Sequence, residues 1–122
     1  MFWVMEIWHL TSTSLWEQAL DNGIYSQSTF GKTLAEVGFI HAALPCQMAN
    51  VVKYVSVEFR EDLCVIVIDT DQIKLGNVPV RMEDGGDGEL YMHIYGPIDP
   101  GWVKAVMPAG FDEAGNFSVE IN

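Results

Sequence analysis

Leu63-Cys64-Val65-Ile66-Val67-Ile68 is an unbroken apolar run with the length of one β-strand. A strand with one face in solvent alternates apolar and polar residues, and this run does not alternate. It therefore predicts a central strand that is buried on both faces. The remaining elements are expected to pack around this strand.

The flanking sequence divides into short elements. Ser12, Thr13 and Ser14 are N-cap candidates for a helix that Gly23 ends, and Pro45 suits the first turn of a second helix, over residues 45–57. Six further stretches have the residue types of strands: 6–11, 38–43, 78–83, 89–95, 102–107 and 117–121. These patterns predict an α+β fold with small, mixed, mostly antiparallel β-sheets and two main helices.

Two connections stand out between these elements. Asp84-Gly85-Gly86-Asp87-Gly88 predicts a hairpin turn, because glycine tolerates the positive φ angles that such turns use. Residues 24–36 show no clear period. A long irregular stretch of this kind is either a binding loop or a plain surface connection, and the residues favour neither.

Length and charge limit the class of protein. The 122 residues fit one domain, spanning residues 1–122. The net charge of −11 opposes the phosphate contacts on which nucleic-acid binding depends, so a nucleic-acid partner is not expected. The apolar first ten residues are too short to cross a bilayer and lack the positive start of a signal peptide, which predicts a cytoplasmic protein without a membrane segment. Cys46 and Cys64 are expected to be buried, reduced thiols.

The three histidines of the chain, His9, His41 and His93, all lie in strand-like stretches that end near turns. A buried imidazole needs hydrogen-bond partners, and an unpaired buried polar group costs about 1–3 kcal/mol. Three histidines placed in this way favour convergence on one concave site. Along residues 89–95, alternation places His93 on the same face as Tyr91 and Tyr95.

Three motifs taken together resemble a known bacterial family. They are His9-Leu10-Thr11, Gly38-Phe39-Ile40-His41 and His93-Ile94-Tyr95-Gly96-Pro97. Their order and spacing are similar to those of the family called domain of unknown function 952, over about residues 7–108, with residues 109–122 as a C-terminal β extension. The resemblance brings no established activity, but it implies a fold similar to that of the ADP-ribosyltransferase superfamily, whose members cleave or handle NAD in a cleft between small β-sheets. The chain departs from the family pattern at Ala42-Ala43, where a hydroxyl residue usually follows the histidine, and at Cys46, where an acidic residue is common.

The chemistry of that activity selects candidate residues. Cleavage of a nicotinamide–ribose bond passes through an oxocarbenium-like transition state, which requires groups that orient the ribose, an aromatic surface and a carboxylate. His9 is the candidate for the ribose, Tyr91 or Tyr95 for stacking, and Glu83 or Glu89 for the carboxylate. Arg81 has the bidentate donors that a pyrophosphate favours, or it pairs with an acidic neighbour on the surface. The predicted site has His9, His41 and His93 as catalytic residues and five ligand-binding residues: Thr11, Arg81, Glu83, Tyr91 and Tyr95.

Several other functions remain open at this point. Two histidines can act as acid and base on a phosphodiester, and His9-Leu10-Thr11 matches the H-x-[Ser/Thr] unit of two-histidine phosphoesterases, although the second copy is missing. Three imidazoles can also hold zinc, but no HExxH motif or close histidine pair supports a metal site. A small-ligand-binding module without turnover and purely structural histidines are the two remaining alternatives.

Overall fold

The computed structural model describes residues 4–29, 31–54 and 62–121. The α-helices are α1 (Thr13–Asn22), α2 (Leu34–Val37), α3 (Met48–Val51) and α4 (Thr70–Leu75). Short 3-10 helices span Pro45–Gln47, Val52–Tyr54 and Pro100–Trp102. The strands are β1 (Glu6–Ser12), β2 (Gln27–Thr29), β3 (Lys32–Thr33), β4 (Ile40–Ala42), β5 (Leu63–Asp69), β6 (Val80–Asp84), β7 (Leu90–Ile94), β8 (Val103–Phe111) and β9 (Phe117–Val119).

β5 is an interior strand of a four-stranded antiparallel sheet with the order β1-β5-β8-β9. Residues 63–68 are all buried, as the apolar run predicts. Cys64, Ile66 and Ile68 belong to one hydrophobic cluster, and the alternate residues belong to a second. The two clusters cover opposite faces of the strand. Neither face is in contact with solvent, which explains why the run has no polar residue.

A second antiparallel sheet has the order β4-β7-β6. It meets the first sheet where Trp8 of β1 forms an antiparallel bridge with Ala43, directly after β4. Met92 and Ile94 of β7 join the cluster that contains Ile66. The opposite face of β7 carries Tyr91 and His93, so that face remains for a site.

The fold class is confirmed as α+β with mostly antiparallel sheets, but the prediction of two main helices is wrong. The structure has four α-helices among its described residues, and only α1 is longer than six residues. The segment that begins at Pro45 changes between 3-10 and α geometry instead of forming one continuous helix. Its predicted end, at residues 55–57, lies outside the described residues. Within those residues, no helix is both long and apolar enough to cross a membrane.

Local sequence explains where most elements begin and end. The side chain of Ser12 caps α1 by accepting a hydrogen bond from Leu15 N at 3.2 Å, and Gly23 ends the helix at φ 76°. The hairpin between β6 and β7 turns at residues 85–89, as the glycines predict. β8 extends past the predicted end at residue 107, since Pro108 still pairs with Cys64 of β5.

Candidate functional site

A cavity of about 290 Å³ lies beside the histidine-bearing face of β7. It brings together four of the predicted site residues: His9, His41, Tyr91 and His93. The other four, Thr11, Arg81, Glu83 and Tyr95, do not line it. The rest of the lining comes from β1, β2, the segment before β4, α3 and the β6–β7 hairpin: Leu10, Ser28, Thr29, Val37, Phe39, Val51, Asp84 and Gly85.

His41 and His93 are directly opposite each other on β4 and β7. Opposite residues of an antiparallel pair project to the same face, and the two ring centroids are 5.7 Å apart. Phe39 stacks on the ring of His93, with centroids 3.9 Å apart and planes 13° from parallel. This stacking restricts rotation of the His93 ring and supplies an aromatic wall to the cavity.

His93 has one engaged and one free ring nitrogen. Its Nδ1 lies 3.0 Å from Oε1 of Glu83. Its Nε2 is buried and has no hydrogen-bond partner within the described part of the chain. Since a carboxylate only accepts hydrogen bonds, Nδ1 carries the proton, and Nε2 of the neutral ring is left as an acceptor.

Glu83 holds His93 and is itself held by Tyr95. The hydroxyl of Tyr95 donates to the same Oε1 atom that receives Nδ1–H of His93. These two hydrogen bonds lower the pKa of Glu83, and the bond from Tyr95 has the larger effect. The guanidinium carbon of Arg81 lies 5.0 Å from the centroid of the Tyr95 ring. Glu83 and Tyr95 therefore orient His93 from behind the cavity instead of forming its wall.

His9 differs from His93 because both of its ring nitrogens are occupied. Nδ1 donates to the carbonyl oxygen of His41, and Nε2 lies 2.6 Å from the hydroxyl of Tyr25. Burial lowers the pKa of His9 to about 4, so the ring is neutral near pH 7. Thr11 hydrogen-bonds the buried hydroxyl of Tyr25. His9 reaches the cavity, but its nitrogens are engaged in the core.

His41 is half-buried between two partners of opposite effect. Burial first, and then electrostatic repulsion between its imidazole and that of His93 when both are protonated, lowers its pKa to about 4. The carboxylate of Asp87 acts in the other direction. That carboxylate accepts a 2.7 Å hydrogen bond from the hydroxyl of Tyr91, whose ring centroid is 5.0 Å from that of His41. His41 is therefore an uncharged ring near pH 7.

Ser28 is the cavity residue that sequence reasoning missed. It is fully buried, and its Oγ atom has no hydrogen-bond partner in the described ranges. It belongs to the irregular stretch 24–36, whose sequence favours neither a binding loop nor a plain surface connection and singles out no residue. A serine among Ser26, Gln27 and Thr29 carries no local signal of burial.

The three histidine motifs can be compared with known protein families. The family model described as a protein of unknown function (DUF952) matches residues 10–106. The chain belongs to the DUF952 family. No protein with a curated functional description matches the chain.

Solved structures similar to this DUF952 protein come from Caulobacter crescentus. The crystal structure of protein CC0527 has a TM-score of 0.77 at 18% identity and covers 93% of this chain and 94% of that chain. The solution NMR structure of CC0527 has a TM-score of 0.69 at 20% identity, with coverages of 90% and 89%. At these identities the likeness shows the fold alone.

The other candidate groups of the DUF952 chain lie away from the cavity. Glu89, the alternative carboxylate, accepts hydrogen bonds from Gln47 at 3.0 Å and Asn50 at 2.6 Å and ties β7 to the Pro45 segment. Cys64 is buried, and burial raises the pKa of its thiol to about 11. Cys46 is exposed, contrary to the prediction that both thiols are buried. Within the described ranges, no group of three or more His, Cys, Asp and Glu side chains could hold a metal ion.

Proposed function

We propose that this DUF952 protein binds NAD or an ADP-ribose-like nucleotide in the cavity and transfers or cleaves its ADP-ribose group. The observation that carries the proposal is the free Nε2 of His93, which is buried in a wall of the cavity beside the rings of Phe39, His41 and Tyr91. The motif resemblance to the ADP-ribosyltransferase-like superfamily supports NAD as the ligand class.

The volume of the cavity is enough for only one end of such a nucleotide. Pockets that enclose whole drug-sized ligands span roughly 300–1,000 Å³, and this cavity of about 290 Å³ falls at the lower limit. It suits a nucleoside unit, such as nicotinamide with its ribose. The phosphates would remain outside.

The charges around the cavity agree with this orientation. His9 and His41 are uncharged near pH 7, Asp84 lines the cavity, and the carboxylates of Glu83 and Asp87 lie directly behind His93 and Tyr91. The nicotinamide ring of NAD is cationic, and the positive charge passes to the ribose as the ring leaves. Fixed carboxylates stabilise such a charge in a dry site.

Arg81 provides a contact for the phosphates. It is opposite His93 in the β6–β7 register, so it belongs to the same face of the sheet, and its side chain is exposed. A guanidinium in that position can make two parallel hydrogen bonds to a phosphate.

One observation favours binding without turnover as the second candidate. The oxygen of Glu83 nearest the site already accepts hydrogen bonds from both His93 and Tyr95, and one oxygen of Asp84 accepts from the backbone of Gly86 and Gly88. Hydrogen bonds that stabilise the ionised form of a carboxylate make it a weaker base. The lowered pKa values of His9 and His41, both about 4, make these two rings poor general acids near pH 7, which counts against a phosphoesterase that uses them as its acid and base.

Thermal unfolding with NAD, ADP-ribose and nicotinamide riboside tests the proposal. A ligand at a hundred times its Kd stabilises the folded state by about 2.7 kcal/mol, which is a measurable shift in Tm. The shift should disappear in His93→Asn, which keeps a donor towards Glu83 but removes the atom in the position of Nε2. The exposed Ser26→Ala variant is the control and should keep the shift. Release of nicotinamide from NAD then separates the enzyme from the binding module.

No stabilisation by any of the three compounds would contradict the proposal. The same conclusion would follow if His93→Asn responded to them like the wild type. Stabilisation without nicotinamide release would favour the binding module.

A further inference from the structure

Two residues that line the same cavity, Ser28 and His93, each carry a buried polar atom without a hydrogen-bond partner among the described residues: Oγ of Ser28 and Nε2 of His93. Ser28 is 0% exposed and His93 is 4% exposed. Leaving a polar group buried and unpaired destabilises a fold, so two such groups at one small cavity indicate groups kept for a ligand.

The position of Ser28 results from a β-bulge. Gln27 pairs with Thr33 and Thr29 pairs with Lys32, so Ser28 is the extra residue between two consecutive pairs. Bulges turn a side chain away from the regular alternation and are frequent beside active sites. Here Ser28, at the bulge, is buried in the lining of the cavity, whereas its neighbour Thr29 is exposed.

The hydrogen-bond type of Nε2 is determined by the groups behind His93. Glu83 takes the proton of Nδ1, Tyr95 holds Glu83, and Phe39 stacks on the ring. In the neutral ring, Nε2 therefore accepts a hydrogen bond and cannot donate one. The ligand has to bring a donor to this atom.

A hydroxyl group fits both atoms, and an anion does not. An alcohol can donate its proton to Nε2 of His93 and can donate to or accept from the hydroxyl of Ser28. A fully ionised phosphate or carboxylate has no proton for Nε2, and it would also approach the carboxylate of Asp84.

We infer that Ser28 and His93 form a subsite for the hydroxyl groups of a sugar, with Nε2 of His93 accepting the hydroxyl proton. This inference rests on the proposed function in one respect, which is that the sugar is identified with the ribose of the nucleotide. The requirement for a hydrogen-bond donor itself rests on the two unpaired atoms and the tautomer.

The test uses the histidine side chains of the ¹⁵N-labelled full chain at pH 8. Long-range ¹H–¹⁵N NMR spectra report which ring nitrogen carries the proton, and we expect Nδ1 for His93. Ribose and sulfate, an anion that carries no proton at this pH, are then added separately at equal concentrations. Ribose should move the Nε2 resonance of His93, whereas sulfate should leave it unchanged.

Matched serine variants locate the second contact. Ser28→Ala should weaken ribose binding by about tenfold, the effect of one lost hydrogen bond in a dry site. Ser26→Ala removes the same hydroxyl two residues away at an exposed position and should bind as the wild type does.

Each result has one meaning. A proton on Nε2 in the free neutral ring, an unmoved resonance with ribose, or a resonance moved by sulfate instead would overturn the inference. If ribose acts as expected and NAD does not stabilise the protein, the hydroxyl subsite stands and the proposed function fails. If NAD binds with the resonance of Nε2 unmoved and with equal affinity in Ser28→Ala, the inference fails and the proposed function stands.

Discussion

Nδ1 of His93 lies 3.0 Å from Oε1 of Glu83, so in the neutral ring the other nitrogen, which has no partner among the described residues, is an acceptor. In His9, by contrast, the carbonyl of His41 and the hydroxyl of Tyr25 occupy both nitrogens. Two histidines at one cavity therefore have separate tasks, and substitution should reveal them.

The first prediction separates the two histidines by stability. His9→Ala removes a buried ring and leaves the hydroxyl of Tyr25 and the carbonyl of His41 without their partner, so we expect a loss of roughly 2–4 kcal/mol in the free energy of unfolding. His93→Ala removes a ring with one unpaired nitrogen and should cost less. Urea denaturation of both variants measures the difference, and a larger loss for His93→Ala would contradict the assignment.

The second prediction concerns pH. The pKa of His9 is lowered in the folded state, from 6.5 to about 4, so the unfolded chain takes up a proton first as the pH falls below 6.5. The contribution of His9 to the free energy of unfolding is constant above pH 6.5. It falls by up to roughly 3 kcal/mol between pH 6.5 and 4. The lowered pKa values of Glu83 and Asp87 act in the same direction, but only below their usual range near pH 4–4.5.

Urea denaturation at pH 7 and pH 5 tests this dependence. His41→Gln removes the second histidine with a lowered pKa. The free energy of unfolding of this variant should still fall between pH 7 and pH 5 because of His9, but by less than that of the wild type. Equal stability of the wild type at the two pH values would show that neither imidazole is desolvated in the folded state.

The third prediction concerns the hairpin wall of the cavity. A Cβ atom on Gly85 would lie 2.4 Å from the buried ring of Tyr91, whose hydroxyl is bound by Asp87. Gly85→Ala should therefore displace Tyr91, cost about 1–3 kcal/mol and weaken ligand binding. Gly110→Ala is the matched control, because a Cβ atom there meets nothing within 4 Å. Similar unfolding curves for the two variants would mean that the ring moves aside freely.

The fourth prediction tests the central strand. Ile66 is fully buried, and Ile66→Ala should cost roughly 2–5 kcal/mol through lost burial and a cavity. Ile121→Ala deletes the same atoms from a side chain that is 77% exposed and should be nearly neutral. A loss below about 1 kcal/mol for Ile66→Ala would contradict burial on both faces.

The sequence predicted the strands better than the helices, for a physical reason. Residues 63–68 and 89–95 have patterns that depend on burial of whole faces, and such patterns are visible in one dimension. Residues 70–75, with Asp71, Gln72 and Lys74, have the polar composition of a turn, and they form α4 because Ile73 is buried against the first cluster. Short helices of this kind depend on tertiary packing, which sequence does not display.

The site was predicted in part for a related reason. The alternation along β7 correctly grouped Tyr91 with His93, and the convergence of His9, His41 and His93 is present in the cavity. What no pattern could supply is the tautomer of His93 and the inward turn of Ser28. Both depend on long-range contacts, namely the hydrogen bond to Glu83 on the neighbouring strand and a bulge in the β2–β3 pair.

The most direct measurement of the central claim is a map of NAD binding on the protein by NMR. We predict that titration with NAD shifts the resonances of Ser28, Phe39, His41 and His93 together, with a single dissociation constant, and leaves the β8–β9 hairpin unchanged. Shifts confined to residues outside the cavity, or no saturable shift at any residue, would contradict the claim that this cavity binds an NAD-like nucleotide.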